Sequence, residues 1–546
     1  MPSTKLDRSM RRRVRSRLPG ALPGRLPNRS HVQSNHGSMP EWRVFLFTWL
    51  SFAALAVAWA VATPLGASPD EPSHLIKAAA VVRGELIGDA TSKPAVTRVD
   101  VPEGIAESKG WTCYAFDPTV PASCMDFTDE SSGLEPSTTS AGLYQPLYYA
   151  LVGWPSLFIE NTEVAVLAMR TVSALICSAF LAVAFTALMR WSGRFIVAIG
   201  FIAAITPMWY FLAGAVNPNA LEVASGLALL VVFLAVLKER AALVPRIPDL
   251  VVLAVSGIVL ASSRSMSPLW VAMIGVMALI YAKPARLQEL IRMPRVLATV
   301  GVIFAGVAAA AAWILWTGTL GSMGNFPGAD TSPGTAFATM LTDRAFDPGL
   351  IGVFGWLDTF APPYVYALWW TLLFGTIILG LGVARGRKIA GIVVGILGVY
   401  LVPAVVQAMS ITSTGYIWQG RYALVPLVTV VVFSAVAIAD RLGARVPVVR
   451  LYVVVAAFVA IGQYLTFSGT LSRYAVGVGQ EDLLAMYRNP VWAPPLGIVP
   501  WVVIAVVAIL AILGIVGWVA SRGIRTESSD PIAESRTSPS LAMTSR

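Results

Sequence analysis

Runs of about 20 apolar residues, separated by short polar breaks, recur from Val44 to the C-terminal region, and a run of that length crosses roughly 30 Å of hydrocarbon as a helix. A chain built this way has few folds open to it. Every backbone N–H and C=O of a crossing segment must be satisfied inside the bilayer, and for runs this long the α-helix does so. Twelve runs can be placed, at 44–63, 164–189, 195–213, 219–237, 247–262, 268–282, 296–316, 364–383, 389–408, 422–439, 450–467 and 498–519. The expected fold is an all-α polytopic membrane protein of about 12 transmembrane helices. Only 13% of the residues are charged, about half the fraction of a soluble domain, so little is left for a separate soluble domain. The first run follows some forty polar residues rich in Arg, Pro and Ser with no clear small-residue cleavage site, and is expected to be a retained span rather than a signal peptide.

The net charge of +10 would suit nucleic acid if the basic residues formed one patch. They do not. Most of the 40 Lys and Arg fall in the Arg-rich N-terminal tail and in every second inter-span segment after it, while the acidic residues concentrate in the alternate segments. That pattern is a positive-inside signature, and with twelve spans it places both termini in the cytoplasm. No nucleic-acid partner is implied.

The spans divide the chain into tails at 1–40 and 521–546, rich in Ser, Pro, Arg and Gly and expected to be disordered, and a membrane domain over 41–520. The segment from Gly66 to about Glu163 is expected outside and is too long for a simple turn, so it should fold. Its start, "PSHLIKAAAVVRGEL", has the period of an amphipathic helix lying along the membrane surface. Its end, "GLYQPLYYALVGWPSLFI", is aromatic and broken by proline, as interfacial or re-entrant elements are. Cys113 and Cys124 share this segment, where a disulfide is expected in an oxidising compartment, whereas Cys177 lies inside a span. Further outside segments run from about Thr317 to Pro363 and around Ser410. The inside loops are short and basic, so any chemistry belongs to the outside face.

The stretch "GASPDEPSHLIKAAA" opens that face. Two accounts of it compete. In one, Ser68 is an N-cap, Pro69 the first helical residue, and Asp70 and Glu71 complete a capping box. In the other, Asp70, Glu71 and His74 are functional: His74 lies one turn after Asp70, and the group could accept a proton from an attacking hydroxyl or hold a divalent cation such as Mg or Mn. Arg421, beside Gln419 and Tyr422, is either a phosphate ligand with a planar pair of donors or an interfacial anchor. Arg170, in the outer part of the second span, is a secondary phosphate candidate because it is costly in lipid unless it faces a polar cavity. Asn217, Asn219 and Glu222 begin the fourth span, where capping explains them as well as ligand binding does. Trp356 with Asp358, and Tyr144 with Gln145 and Tyr148, could stack and hydrogen-bond a sugar or form an aromatic belt. There is no P-loop, zinc-type Cys/His spacing, Gly-x-Ser-x-Gly elbow or dinucleotide fingerprint, which argues against ATP-driven transport by this chain alone.

"SPDEPSHLIKA" resembles the Pro-Asp-Glu-Pro-x-His signature of a bacterial membrane family catalogued as domain of unknown function 2142, grouped with the glycosyltransferase-C superfamily. The resemblance continues in order through "YQPLYYALVGWPSL", "AVNPNALEVASG", "FGWLDT" and "QGRYALVP" and spans nearly the whole chain between the tails. It implies a glycosyltransferase-C-like fold in which an acid of the first outside loop is catalytic base or metal ligand, and a polyprenyl-phosphate sugar is the donor. Asp70 and Glu71 match the acidic pair and His74 the histidine, while Asn219 stands where an acid would be expected. The implied activity is transfer of a sugar from a lipid-linked donor to a glycan or glycolipid acceptor of the cell envelope, at a bacterial inner membrane. A transporter or flippase of a lipid-linked glycan, or a non-catalytic assembly protein, are the alternatives; transport would place polar residues near the bilayer midplane, whereas here they gather at one face.

Overall fold

The computed structural model describes residues 38–126, 133–238, 244–319, 326–443, 448–479 and 484–525. The disorder expected of the tails concerns residues outside these, apart from their inner ends, where Met39–Pro40 and Ile524–Arg525 pair in parallel.

Each apolar run is helical. Among the described residues nine helices are long and apolar enough to cross a membrane: Glu41–Ala62, Thr162–Leu188, Asn219–Lys238, Pro294–Thr317, Pro363–Val383, Arg387–Thr414, Gly420–Leu442, Val449–Val476 and Ile498–Arg522. Eleven qualify among the described residues if two bent pairs count as one span each, and Ile247–Ala261 is a shorter apolar helix. The helices begin and end where local chemistry dictates. Proline stands at the first turn of Pro207–Ala213, Ser267–Tyr281, Pro294–Thr317 and Pro363–Val383, where its missing N–H has no intrahelical partner to lose. Gly477, with φ +79°, stops Val449–Val476 because a residue without Cβ enters the left-handed region freely.

Burial separates the centre of the bundle from its lipid face. The windows of Asn219–Lys238 and Gly420–Leu442 are 94% buried, and that of Pro294–Thr317 is 11% buried. The central two are covered by protein along nearly their whole length, as a helix surrounded by other helices is. The bend of 65° between Arg194–Ala204 and Pro207–Ala213 frees backbone groups that a neighbouring loop satisfies: Met208 N–H donates to Ile351 O at 2.9 Å and the Thr206 hydroxyl to Leu350 O at 2.9 Å. Non-helical backbone at this depth is tolerated because protein encloses it.

At one end of the bundle basic residues dominate, tied by ion pairs between helix termini. Arg190 meets Asp249 at 2.9 Å, Arg246 meets Glu41 at 2.7 Å, and Lys388 and Lys238 share Asp440 at 2.8 and 3.2 Å. The segment following the first helix lies at the opposite end, where the Trp356 indole reaches back to Gly66 and Arg421 to Asp70. If the basic end faces the cytoplasm, a cysteine replacing Asp89 labels with an impermeant maleimide in intact cells and one replacing Arg385 labels only after lysis. Labelling of both from the same side would break the topology.

The segment after the first helix folds as a small α/β layer. An antiparallel sheet of Asp89–Ala90, Thr97–Pro102 and Leu134–Thr139 packs with the helix Glu71–Val81, and Cys113 is bonded to Cys124. The helix departs from the amphipathic surface element expected of it. All its residues but Ser73 are buried, because the sheet and the helix Leu147–Gly153 both pack on it. Leu147–Gly153 crosses it so closely that a Cβ on Gly153 would lie 2.3 Å from Ala78 O. Leu151 of that helix and Trp154, Leu157 and Phe158 just after it are exposed.

Candidate functional site

The opening stretch does not form the capping box its letters spell. The N-cap of Glu71–Val81 is Asp70, with φ +65° and no side-chain cap bond, and the buried Ser68 hydroxyl has no hydrogen-bond partner. Only the Ser68 backbone takes part, its carbonyl accepting the Glu71 N–H at 3.1 Å. The left-handed backbone at Asp70 turns successive side chains in different directions, so two adjacent carboxylates meet two different arginines.

Glu71 points inward. Fully buried, it takes Arg170 Nε on Oε1 at 2.8 Å and Nη2 on Oε2 at 2.5 Å, and it accepts the Val216 N–H at 3.0 Å. Arg170 gives its remaining donors to the carbonyls of Ala60, Thr63 and Pro64 at 2.7–2.8 Å, which lie at the C-terminal end of the first helix, where carbonyls lack intrahelical partners. All five N–H groups of Arg170 thus meet protein acceptors. The expectation of a phosphate ligand at Arg170 is corrected on that ground, and so is that of a free base or metal ligand at Glu71.

Asp70 points outward. Its side chain is half exposed, and Oδ2 accepts Arg421 Nη2 at 2.8 Å. Arg421 opens the buried helix Gly420–Leu442 and is itself almost fully buried, yet its Nε and Nη1 find no acceptor. A buried guanidinium with two unsatisfied donors is costly unless something anionic completes it, and Arg and carboxylate or phosphate form such forks.

His74 lies on the turn after Asp70. Its Nδ1 shares a proton with the Tyr149 hydroxyl at 2.8 Å, the rings stack at 5.8 Å, and Tyr144 lies at 6.1 Å. Burial, with Arg264 and Arg421 adding to it against Asp70, pushes the imidazole down to about 4, so it is neutral at physiological pH. Tyr144, desolvated in the same place, is pushed up to about 12. Tyr148 is committed to the core, its hydroxyl paired with Ser173 at 2.9 Å, which corrects its expected contact with substrate. The buried Gln145 amide has no partner at either atom, and the Gln419 carbonyl oxygen likewise has none.

A second cation was missed by sequence reasoning. Arg264, in the turn between Ile247–Ala261 and Ser267–Tyr281, stacks over the Tyr422 ring at 4.1 Å, and Arg421 lies 5.3 Å from the same ring. Arg264 also donates to the Asn219 side-chain oxygen, while Ser267, bonded to the Arg264 N–H at 2.9 Å, donates to Glu222 at 2.6 Å. Asn219 is therefore an acceptor for a guanidinium and, being neutral, contributes no charge to balance it. Asn217 braces it, accepting the Asn219 N–H at 3.0 Å. The available signal was Arg264 itself, a basic residue in a short turn between two apolar runs.

Trp356 and Asp358 come from the hairpin Val353–Phe354/Thr359–Phe360. Asp358 accepts Arg473 at 3.2 Å and the Phe116 N–H at 3.0 Å on Oδ2, and the Thr359 hydroxyl on Oδ1. Its expected role toward sugar hydroxyls gives way to one of holding three segments together. The expected divalent-cation set does not converge either: Glu71 faces Arg170, His74 Nδ1 faces Tyr149, and no three His, Cys, Asp or Glu among the described residues form a metal-holding group.

A family model described as "Predicted membrane protein (DUF2142)" matches residues 53–431. The fold is similar to ArnT from Cupriavidus metallidurans bound to undecaprenyl phosphate, with TM-score 0.38, 13% identity and coverage of 88% of this chain and 77% of that one. It is also similar to the oligosaccharyltransferase of Archaeoglobus fulgidus in the apo form, with TM-score 0.35, 13% identity and coverage of 82% and 58%. No curated protein matches by sequence.

Proposed function

The chain belongs to the DUF2142 family of predicted membrane proteins, and from that membership together with the Asp70–Arg421 pair we propose that it is a membrane glycosyltransferase drawing on a polyprenyl-phosphate sugar. The observation that carries the proposal is a half-exposed carboxylate bonded to a buried arginine whose Nε and Nη1 are unpartnered. These are the two groups a displacement at an anomeric carbon requires. An acceptor hydroxyl oxygen bonds to that carbon as its proton passes to Asp70. The bond from the carbon to the phosphate oxygen breaks, and the electron pair leaves with the lipid phosphate. A free donor of Arg421 then meets charge that grows as the bond breaks, so it favours the transition state over the bound donor. Attack opposite the leaving phosphate inverts the anomeric centre. No step needs a metal, and among the described residues no three His, Cys, Asp or Glu converge to hold one.

The architecture suits this donor. The lipid tail stays in the bilayer while phosphate and sugar reach the end of the bundle where Asp70 lies. We place that end on the extracytoplasmic face of a bacterial inner membrane, with both termini cytoplasmic, and take the acceptor to be a cell-envelope glycan or glycolipid. The polar groups gather at this end rather than midway along the helices, which favours transfer over transport.

Arg421→Lys tests the phosphate assignment. Lysine keeps the charge and loses the planar fork. Losing charge-assisted hydrogen bonds to the leaving phosphate should lower kcat and raise the Kd for the product undecaprenyl phosphate, each by at least about tenfold, with insertion and folding unchanged. Wild-type values for both would make Arg421 an anchor and place the phosphate elsewhere.

A further inference from the structure

Among the described residues, three of the five non-glycine residues with positive φ, Asp70, Phe116 and Leu357, belong to the region around the Trp356 hairpin. Phe116 and Leu357, at +65° and +66°, are bulky side chains in a conformation that any residue with a Cβ adopts at a cost. Glycine is the residue that relieves it, yet at both tips the chain keeps a large apolar group and exposes it, Phe116 to 72%. Strain retained in this way marks sites where the side chain itself is used.

The two tips form one surface. The Phe116 and Trp356 rings lie 5.5 Å apart at 58°, and both are fixed from behind. The Phe116 N–H is held by Asp358 and the Trp356 indole by Gly66 O at 3.0 Å. Arg473, almost fully buried, donates to Asp358 and to the carbonyls of Tyr114, Asp117 and Val120. The loop carrying Phe116 is closed by the Cys113–Cys124 bond. Such a surface is preorganised, so a ligand settling on it loses little to ordering of the protein.

We propose that Phe116 and Trp356 form a stacking platform for a saccharide unit of the acceptor remote from the one that reacts, which makes the acceptor an extended glycan; this rests on the transferase reading above. Aromatic faces accept the C–H face of a sugar ring, and sugar hydroxyls need polar groups at the rim. Asp117 supplies one. It is exposed beside Phe116, and bonds from the Thr119 hydroxyl and N–H hold its carboxyl below the usual range, so it stays charged. A permanent carboxylate at the edge of the rings also disfavours insertion among lipid phosphates or acyl chains, which separates this patch from an ordinary membrane anchor. The platform is separate from the reacting end of the site but close to it: Gly66, bonded to Trp356, is joined to Asp70 by four residue steps, no more than about 14 Å even if extended. A short oligosaccharide is long enough to span any separation up to that bound.

The test uses the full chain in lipid nanodiscs and neutral linear gluco-oligosaccharides of one to six units as the probe, read by saturation-transfer NMR. Transfer to sugar C–H protons should rise with length. It should fall at least about fivefold in Phe116→Gly and Trp356→Ala, the scale of losing one aromatic partner, and largely return in Trp356→Phe. Undecaprenyl phosphate should bind each variant as it binds wild type. Phe116→Gly should also unfold no earlier than wild type, because it relieves the backbone, a result that a purely structural role for Phe116 does not give. Saturation absent at every length, or unchanged in the variants, overturns the platform. So does quenching by brominated acyl chains of the fluorescence that Trp356→Phe removes, which would make the patch a membrane anchor. Oligosaccharide binding without any sugar transfer from polyprenyl-phosphate donors would remove the transferase reading and leave the platform standing.

Discussion

Asp70→Asn lowers turnover by at least about a hundredfold, equivalent to roughly 2.7 kcal/mol of transition-state stabilisation, while the protein inserts and unfolds as wild type does. Two features make this substitution informative. Asparagine is among the few residues that tolerate the left-handed backbone required at φ +65°. Its side-chain oxygen can also still accept the Arg421 N–H. What it loses is the capacity to take a proton. Asp70→Gly is less informative, since it relieves the backbone but strips the buried Arg421 of its one carboxylate partner, and it should lose stability along with turnover. Ser68→Ala is the control. The Ser68 hydroxyl is buried without a partner, so removing it should leave stability unchanged or slightly higher, where a true N-cap would lose about 1 kcal/mol. Wild-type transfer rates in purified Asp70→Asn would remove the base from this position.

Arg170→Ala has the largest expected effect on stability. It leaves Glu71 charged and buried, and it orphans the carbonyls of Ala60, Thr63 and Pro64. Removing one partner of a buried pair costs about 3–5 kcal/mol, which for a membrane protein should show as loss of folded material in detergent extracts or a thermal transition lowered by many degrees. The double variant Arg170→Met with Glu71→Leu should recover part of that, because no charge is then left unpaired. If Arg170→Ala instead folds normally and loses only donor binding, the guanidinium is a ligand after all.

The two experiments separate adjacent residues that sequence alone had to treat together. "SPDEPSH" announces a helix start and a cluster of titratable groups, and both are present. The assignment of roles within it went astray at Ser68 and Glu71, since a capping match describes what a side chain can do locally, and here stronger distant partners compete. Glu71 meets Arg170 across 99 residues and Asp70 meets Arg421 across 351. Arg264 was overlooked for a related reason: in sequence it is one basic residue in a turn, and its stacking on Tyr422 exists only once two hairpins of helices are side by side.

What the chain could disclose by itself is whatever depends on neighbours within a turn or two. The apolar runs, the prolines that begin helices and the glycine that ends one respond to lipid, water and local backbone sterics, so the helices lie where the pattern put them. The choice of partners for charged groups obeys a different scale. A guanidinium in a low-dielectric interior pairs with whichever carboxylate or carbonyl the packing brings within about 3 Å, and packing is settled by contacts between helices far apart in the chain. Asp70 and Glu71 are neighbours with the same charge and nearly the same chemistry. One became a buried strut and the other an open, half-exposed carboxylate because the backbone at Asp70 turns left-handed and the bundle offers Arg170 on one side and Arg421 on the other.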